Sequence, residues 1–172
     1  VHDPHYIQTI EEVIPDTGIR ALNTDTFVCP DSWEAAMRAA GSACQAVDGV
    51  LSGKHKRAFC AVRPPGHHAE KTQAMGFCLF NNVAIGARYA QKYKNIKRVA
   101  IVDFDVHHGN GTQNLALASK DIFFISSHQV PFYPYTGERA DNVANRLLNL
   151  PMAAGEGSQE FRKLYEDEAL PA

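Results

Sequence analysis

The run Ile101-Val102-Asp103-Phe104-Asp105-Val106-His107-His108-Gly109-Asn110-Gly111 constrains this chain more than any other stretch. Apolar residues 99–102 lead directly into two acids and a histidine at every second position. In an extended strand, residues i, i+2 and i+4 share one face. Asp103, Asp105 and His107 are therefore expected to point the same way as the strand leaves a core, with glycines allowing a sharp exit. Two carboxylates and an imidazole crowded together repel or desolvate one another unless something positive sits among them. A divalent metal meets that need, since Asp oxygen and His nitrogen are both good zinc ligands. The plainer reading is a strand end whose acids face water, and the apolar approach argues against it.

At 172 residues, the chain is expected to form one domain, 1–172, large enough for a real core. A formal charge of -2 with 45% hydrophobic residues excludes a basic nucleic-acid surface. The one basic run, Lys54-His55-Lys56-Arg57, reads as a solvated loop. No apolar stretch reaches the roughly 20 residues of a membrane span, and the N-terminus lacks the layout of a signal peptide. Cys29, Cys44, Cys60 and Cys78 form no C-x-x-C pair, which points to reduced thiols and a cytoplasmic setting.

Periodicity suggests helices over 32–53, 82–93, 112–118 and 158–170, and strands over 57–62, 99–105, 121–126 and 147–151. Asp31 followed by Glu34 is a capping pattern for the first helix. Strands alternating with helices argue for an α/β protein with a mostly parallel sheet. In such sheets sites collect at the carboxyl ends of strands, where His67-His68, His107 and His128 are expected.

Arg63-Pro64-Pro65-Gly66-His67-His68-Ala69-Glu70 is the second strong feature. Two prolines stiffen the entry and a glycine turns the backbone, so the tandem histidines are held in place. Imidazole exchanges protons near neutrality, and beside a metal-bound water one histidine can act as base while its neighbour supplies charge or a proton. Taken alone, the pair reads as surface or satisfied core histidines; the acid-and-histidine strand end reverses that. In Gly76-Phe77-Cys78-Leu79-Phe80-Asn81-Asn82, Phe77 and Phe80 read equally as the lining of a narrow slot or as core.

Taken in order, Pro64-Pro65-Gly66-His67-His68-Ala69, Gly76-Phe77-Cys78-Leu79-Phe80-Asn81-Asn82 and Asp103-x-Asp105-x-His107-His108-Gly109-Asn110-Gly111 resemble the zinc-dependent histone deacetylase superfamily. That superfamily includes acetylpolyamine amidohydrolases and acetoin-utilisation proteins, and Asn110 resembles its class II and bacterial branches. The resemblance implies a three-layer α/β/α arginase/deacetylase fold and hydrolysis of an acetylated lysine or polyamine to release acetate. It implies zinc on Asp105 and His107, with His68 as general base, His67 as its electrostatic or acidic partner and Asp103 as the orienting acid. Gly76-Phe77 match one wall of the substrate channel, and Tyr133 lies near the second. A structural potassium is implied on Asp103, Ser126 and the carbonyls of Asp105, His107 and Ser127.

The same resemblance calls for a third zinc ligand, in an Ala-Gly-Phe-Asp-like strand end, and a tyrosine in a Gly-Gly-Tyr setting. Neither motif occurs in this sequence, and the family's opening motif is missing too. The expectation is a domain truncated at both ends, inactive in isolation or completed by another chain or a second copy. Two further readings stand beside the hydrolase: a non-catalytic remnant that binds acetylated ligands or a partner, and an arginase-like manganese enzyme, from which the Pro-Pro-Gly-His-His motif points away.

Overall fold

The structure, a computed structural model, describes residues 1–172. The chain divides into two compact units, Val1–Lys97 and Arg98–Ala172.

The first unit is built from helices and a short antiparallel ribbon. Helix α1 (Pro4–Glu12) starts where the Asp3 carboxylate accepts the His5 N–H at 2.9 Å, with proline in its first turn. Strands β1 (Arg20–Ala21) and β2 (Phe27–Val28) pair antiparallel. Helix α2 (Ser32–Leu51) is rich in alanine, and Glu34 and Arg38 pair one turn apart on its outer face. Asp31 does not cap it as the sequence suggests: the Asp31 side chain makes no cap bond, and Ser32 Oγ instead accepts the Cys29 N–H at 2.9 Å. Helix α3 (Asn82–Lys94) begins where buried Asn81 accepts the Ala84 N–H at 3.1 Å and ends at Asn95, left-handed at φ 57°. It approaches α2 closely because Gly86 has no side chain: a Cβ there would lie 3.2 Å from that of Ala43. The core joins Tyr6, Ile10, Val28, Ala36, Leu79 and Phe80, with Trp33 packed against it.

Residues 57–62, expected as a strand, are not one. A strand exists by exchanging ladder hydrogen bonds with a neighbour, and neither of the chain's two sheets includes this segment. Its Val62 N–H turns back to the Cys60 carbonyl at 3.1 Å, and Phe59 stands 92% exposed.

The second unit is a parallel three-stranded sheet with helices. Its strands are β3 (Val99–Asp103), β4 (Ile122–Gln129) and β5 (Leu147–Met152), in the order β3-β4-β5. Helix α4 (Asn110–Leu117) links the first two, and α5 (Ser158–Leu164) follows the third. Where one capped helix over 158–170 is expected, the chain widens into a π-helical turn at Tyr165–Ala169. The central strand β4 is buried on most of its residues, and its Phe124 and Ile125 lie in the core with Leu150 of β5. Register places Asp103 opposite Ser126 and Ser126 opposite Asn149, so all three strands end at one edge. That edge carries the candidate residues of this unit.

Candidate active site

In the first unit, the Gly66–Asn82 region brings together His67, His68, Gly76 and Phe77. The His67 and His68 rings lie 4.0 Å apart between centroids, tilted by 42°, with His68 4% exposed. Gly66 permits a close backbone approach: a Cβ there would stand 2.5 Å from the Asn82 nitrogen. Met75 and Cys78 exchange both main-chain bonds, at 3.2 and 2.9 Å, closing a two-residue hairpin over Gly76 and Phe77. Both turn residues have positive φ, 56° and 67°, as a type I′ turn requires. Glycine adopts this freely, whereas an aromatic residue does so only under constraint. The constraint is visible: Gly76 N–H donates to Asp25 Oδ1 at 3.1 Å and Phe77 N–H to Thr26 Oγ1 at 3.2 Å. The turn presses Gly76 against the His68 ring, which a Cβ would overlap, and leaves Phe77 61% exposed at its tip. A hollow of about 380 Å³ opens there, lined by Phe77, Phe27, Pro64 and Leu79.

The start of the chain fastens this region, and the sequence alone gave no sign of it. His2 Nδ1 lies 2.8 Å from the Glu70 carbonyl, and the Asn81 N–H donates to His2 Nε2 at 2.9 Å. A carbonyl only accepts, so the proton sits on Nδ1 and the ring is neutral. Burial lowers the His2 pKa in keeping with that state. The Tyr6 hydroxyl adds a bond to the Leu79 carbonyl at 2.7 Å. These contacts span some seventy residues of sequence, so no local pattern announces them.

In the second unit, the three residues expected on one strand face do not share a strand. Strand β3 ends at Asp103, and Asp105 and His107 stand on the bend beyond it. The acids themselves shape that bend: Asp103 Oδ1 accepts the Asp105 N–H at 3.1 Å, and Asp105 Oδ1 accepts the His107 N–H at 2.8 Å. Each carboxylate thus folds the chain two residues ahead of it, as Asx turns do. Asp105 Oδ1 comes to 3.2 Å from His107 Nδ1. Two ligands at about 2.0–2.1 Å from one tetrahedral zinc are about 3.3 Å apart, so this donor pair fits that ion. No group of three or more His, Cys, Asp or Glu side chains is placed to hold a metal.

Phe132 stacks on the His107 ring at 4.8 Å and 8°, and Tyr133 meets it edge-on at 5.9 Å and 83°. The sequence pointed to Tyr133; its neighbour Phe132 takes the flat contact. Ser126 and Ser127 are buried, Ser126 Oγ lying 3.0 Å from His128 Nδ1 and Ser127 Oγ 3.1 Å from the Tyr165 hydroxyl. Beside Asp105 lies a hollow of about 520 Å³, walled by Phe104, Val106, Met152 and Phe161. A larger hollow, about 1190 Å³, lies elsewhere, between the second half of α2 and residues 54–62, and contains none of these side chains. No helix is long and apolar enough to cross a membrane.

The family description of the histone deacetylase domain matches residues 1–172. The chain is 38% identical over 177 residues to the histone deacetylase-like amidohydrolase of Pseudomonas aeruginosa, covering 100% of this chain and 46% of that protein. Among solved structures it is similar to the HDA15 HD domain, with a TM-score of 0.91, 34% identity and coverage of 99% of this chain and 52% of that one. It is also similar to the acetylpolyamine aminohydrolase of Burkholderia pseudomallei, with a TM-score of 0.86, 31% identity and coverage of 99% and 60%. The chain spans between 9% and 56% of the length of the curated relatives it matches, and about half of several of them.

Proposed function

Since this chain belongs to the histone deacetylase family, we propose that the protein carrying it hydrolyses N-acetyl amides, acetyl-lysine or acetylated polyamine, and releases acetate. One observation carries the reading: Asp105 Oδ1 and His107 Nδ1 converge at 3.2 Å just beyond the end of the parallel strand β3. They are the proposed zinc ligands. Zinc, when bound, supplies the Lewis acidity that such a hydrolysis needs. His68 takes a proton from the attacking water, and His67 supplies charge and returns a proton to the leaving amine. Asp103 is the acid that orients His67. Phe77, displayed with Gly76 at the tip of its turn, and Tyr133 line the path of the acylated chain. Asp103 and Ser126, register partners at the sheet edge, hold potassium with the carbonyls of Asp105, His107 and Ser127. Residues 1–172 are thus part of one catalytic domain, working in the cytoplasm, where its four free cysteines stay reduced.

A second reading applies to residues 1–172 alone. Two donors hold zinc weakly where three are usual, and no third donor joins them. This polypeptide by itself then binds acetylated ligands or a partner without turnover, and a companion chain or second copy would complete the site.

The test uses the full-length protein, zinc content by elemental analysis, and acetate release from an acetyl-lysine peptide and an acetylated diamine. His68→Ala is expected to abolish turnover with zinc retained, and Asp105→Ala to remove the zinc. Zinc lost with His68, or kept without Asp105, would overturn these roles; no acetate from either substrate would overturn the activity.

A further inference from the structure

Two buried histidines of the second unit have no part in that chemistry, and their surroundings give them another. His108 and His128 are each 1% exposed, with ring centroids 4.7 Å apart. His128 Nε2 lies 2.9 Å from the Gly137 carbonyl, so Nε2 carries the proton and Nδ1 accepts from the Ser126 hydroxyl. His108 Nε2 lies 2.9 Å from Gln113 Oε1, an oxygen that also accepts from Asn149 Nδ2 at 2.7 Å. His108 Nε2 is therefore a donor, and its Nδ1 hydrogen-bonds the Thr136 hydroxyl at 2.8 Å. Both rings donate through Nε2, and each reaches the same short stretch of chain.

That stretch is the end of the 130–137 loop. Gly137 lies across both rings at φ 89°; a Cβ on it would stand 2.5 Å from His128 Nε2 and 2.6 Å from His108 Cγ. The loop's other end is tied by the Val130 N–H to the Met152 carbonyl at 2.8 Å, and its middle tightens where the Tyr135 N–H meets the Phe132 carbonyl at 2.7 Å. Between these ties sit Phe132 and Tyr133, the rings that bracket His107.

We propose that His108 and His128 are positioning residues that hold Thr136 and Gly137, and through them seat Phe132 and Tyr133 around His107. The effect on substrate rests on the deacetylase reading; the effect on the rings does not. Releasing one anchor leaves the fold in place and frees the loop, so the acyl chain meets a looser wall while the proton-transfer groups are untouched. Loss of one hydrogen bond corresponds to a factor of roughly 2–10.

The experiment compares Thr136→Val, which deletes the hydroxyl, with Thr136→Ser, which keeps it. In the full-length protein, NMR of the histidine ring protons reads the ring-current shift that Phe132 imposes on His107. The shift is expected to shrink in Thr136→Val and return in Thr136→Ser. Thr136→Ala reads the same loss should the valine variant not fold. In the full-length enzyme, Thr136→Val is expected to raise KM roughly five-fold with kcat within about two-fold, and Thr136→Ser to restore KM. An unchanged shift in both Thr136→Val and Thr136→Ala would overturn the anchoring. A lost shift with unchanged KM would overturn its role in substrate binding. A wild-type enzyme that deacetylates nothing would count against the function alone, because the ring shifts are read without substrate.

Discussion

Gly76→Ala offers a quantitative test of how the tandem histidines are held. Gly76 has φ 56°, and an added Cβ would overlap the Cβ, Cγ and Cδ2 of buried His68. Two penalties then add. The left-handed backbone costs about 1–2 kcal/mol for any residue with a Cβ. Forcing a methyl against a packed ring costs about 1–3 kcal/mol more. Gly18 separates them: its φ is 74°, yet nothing lies within 4 Å of the Cβ position, so Gly18→Ala incurs only the first. Urea unfolding followed by circular dichroism should therefore place Gly76→Ala about 1–3 kcal/mol below Gly18→Ala, a midpoint difference of about 1 M at ordinary slopes. In the full-length protein, Gly76→Ala should also lower kcat, since His68 must shift to admit the methyl. Equal midpoints for the two variants would show that the His68 ring has room to move, and the argument that the turn fixes the histidine would fail.

Burial holds the His2 pKa below its usual 6.5, so the unfolded chain binds a proton there before the folded one does. The His2 contribution is present above about pH 6.5 and is lost as pH falls below it; His2→Leu should reduce the stability difference between pH 7.5 and 5.5, and an undiminished difference would refute the assignment. Asn81→Ala should destabilise α3 by about 1 kcal/mol through loss of its cap, measurable as a urea midpoint shift, whereas no shift would mean that the cap is replaced.

The parts of this molecule legible in the sequence are those whose cause is local. Apolar periodicity marks α2, α3, β3, β4 and β5 to within a few residues, because each buries one face or stripe of its own. Helix α1 escaped, although Asp3-Pro4 is a start signal that could have revealed it. Residues 57–62 have strand composition and no neighbouring strand, and composition cannot report a missing partner. In the candidate site, the motifs single out Asp105, His107, His67, His68 and Phe77 by residue type alone. What holds them was invisible: His2 clamps a loop from some seventy residues away, and His108 and His128 act through a main-chain carbonyl and a threonine hydroxyl. Phe132 and Tyr133 are adjacent aromatics, and only the path of the loop decides which lies flat on His107.

The solvated stretch at residues 57–62 has a consequence for how this polypeptide behaves in a tube. A stretch that joins neither sheet, carrying Phe59 almost wholly in water, is a surface on which identical molecules can associate. Cloudiness on concentrating the protein would then begin at this stretch, and a lysine in place of Phe59 is the change that keeps the solution clear.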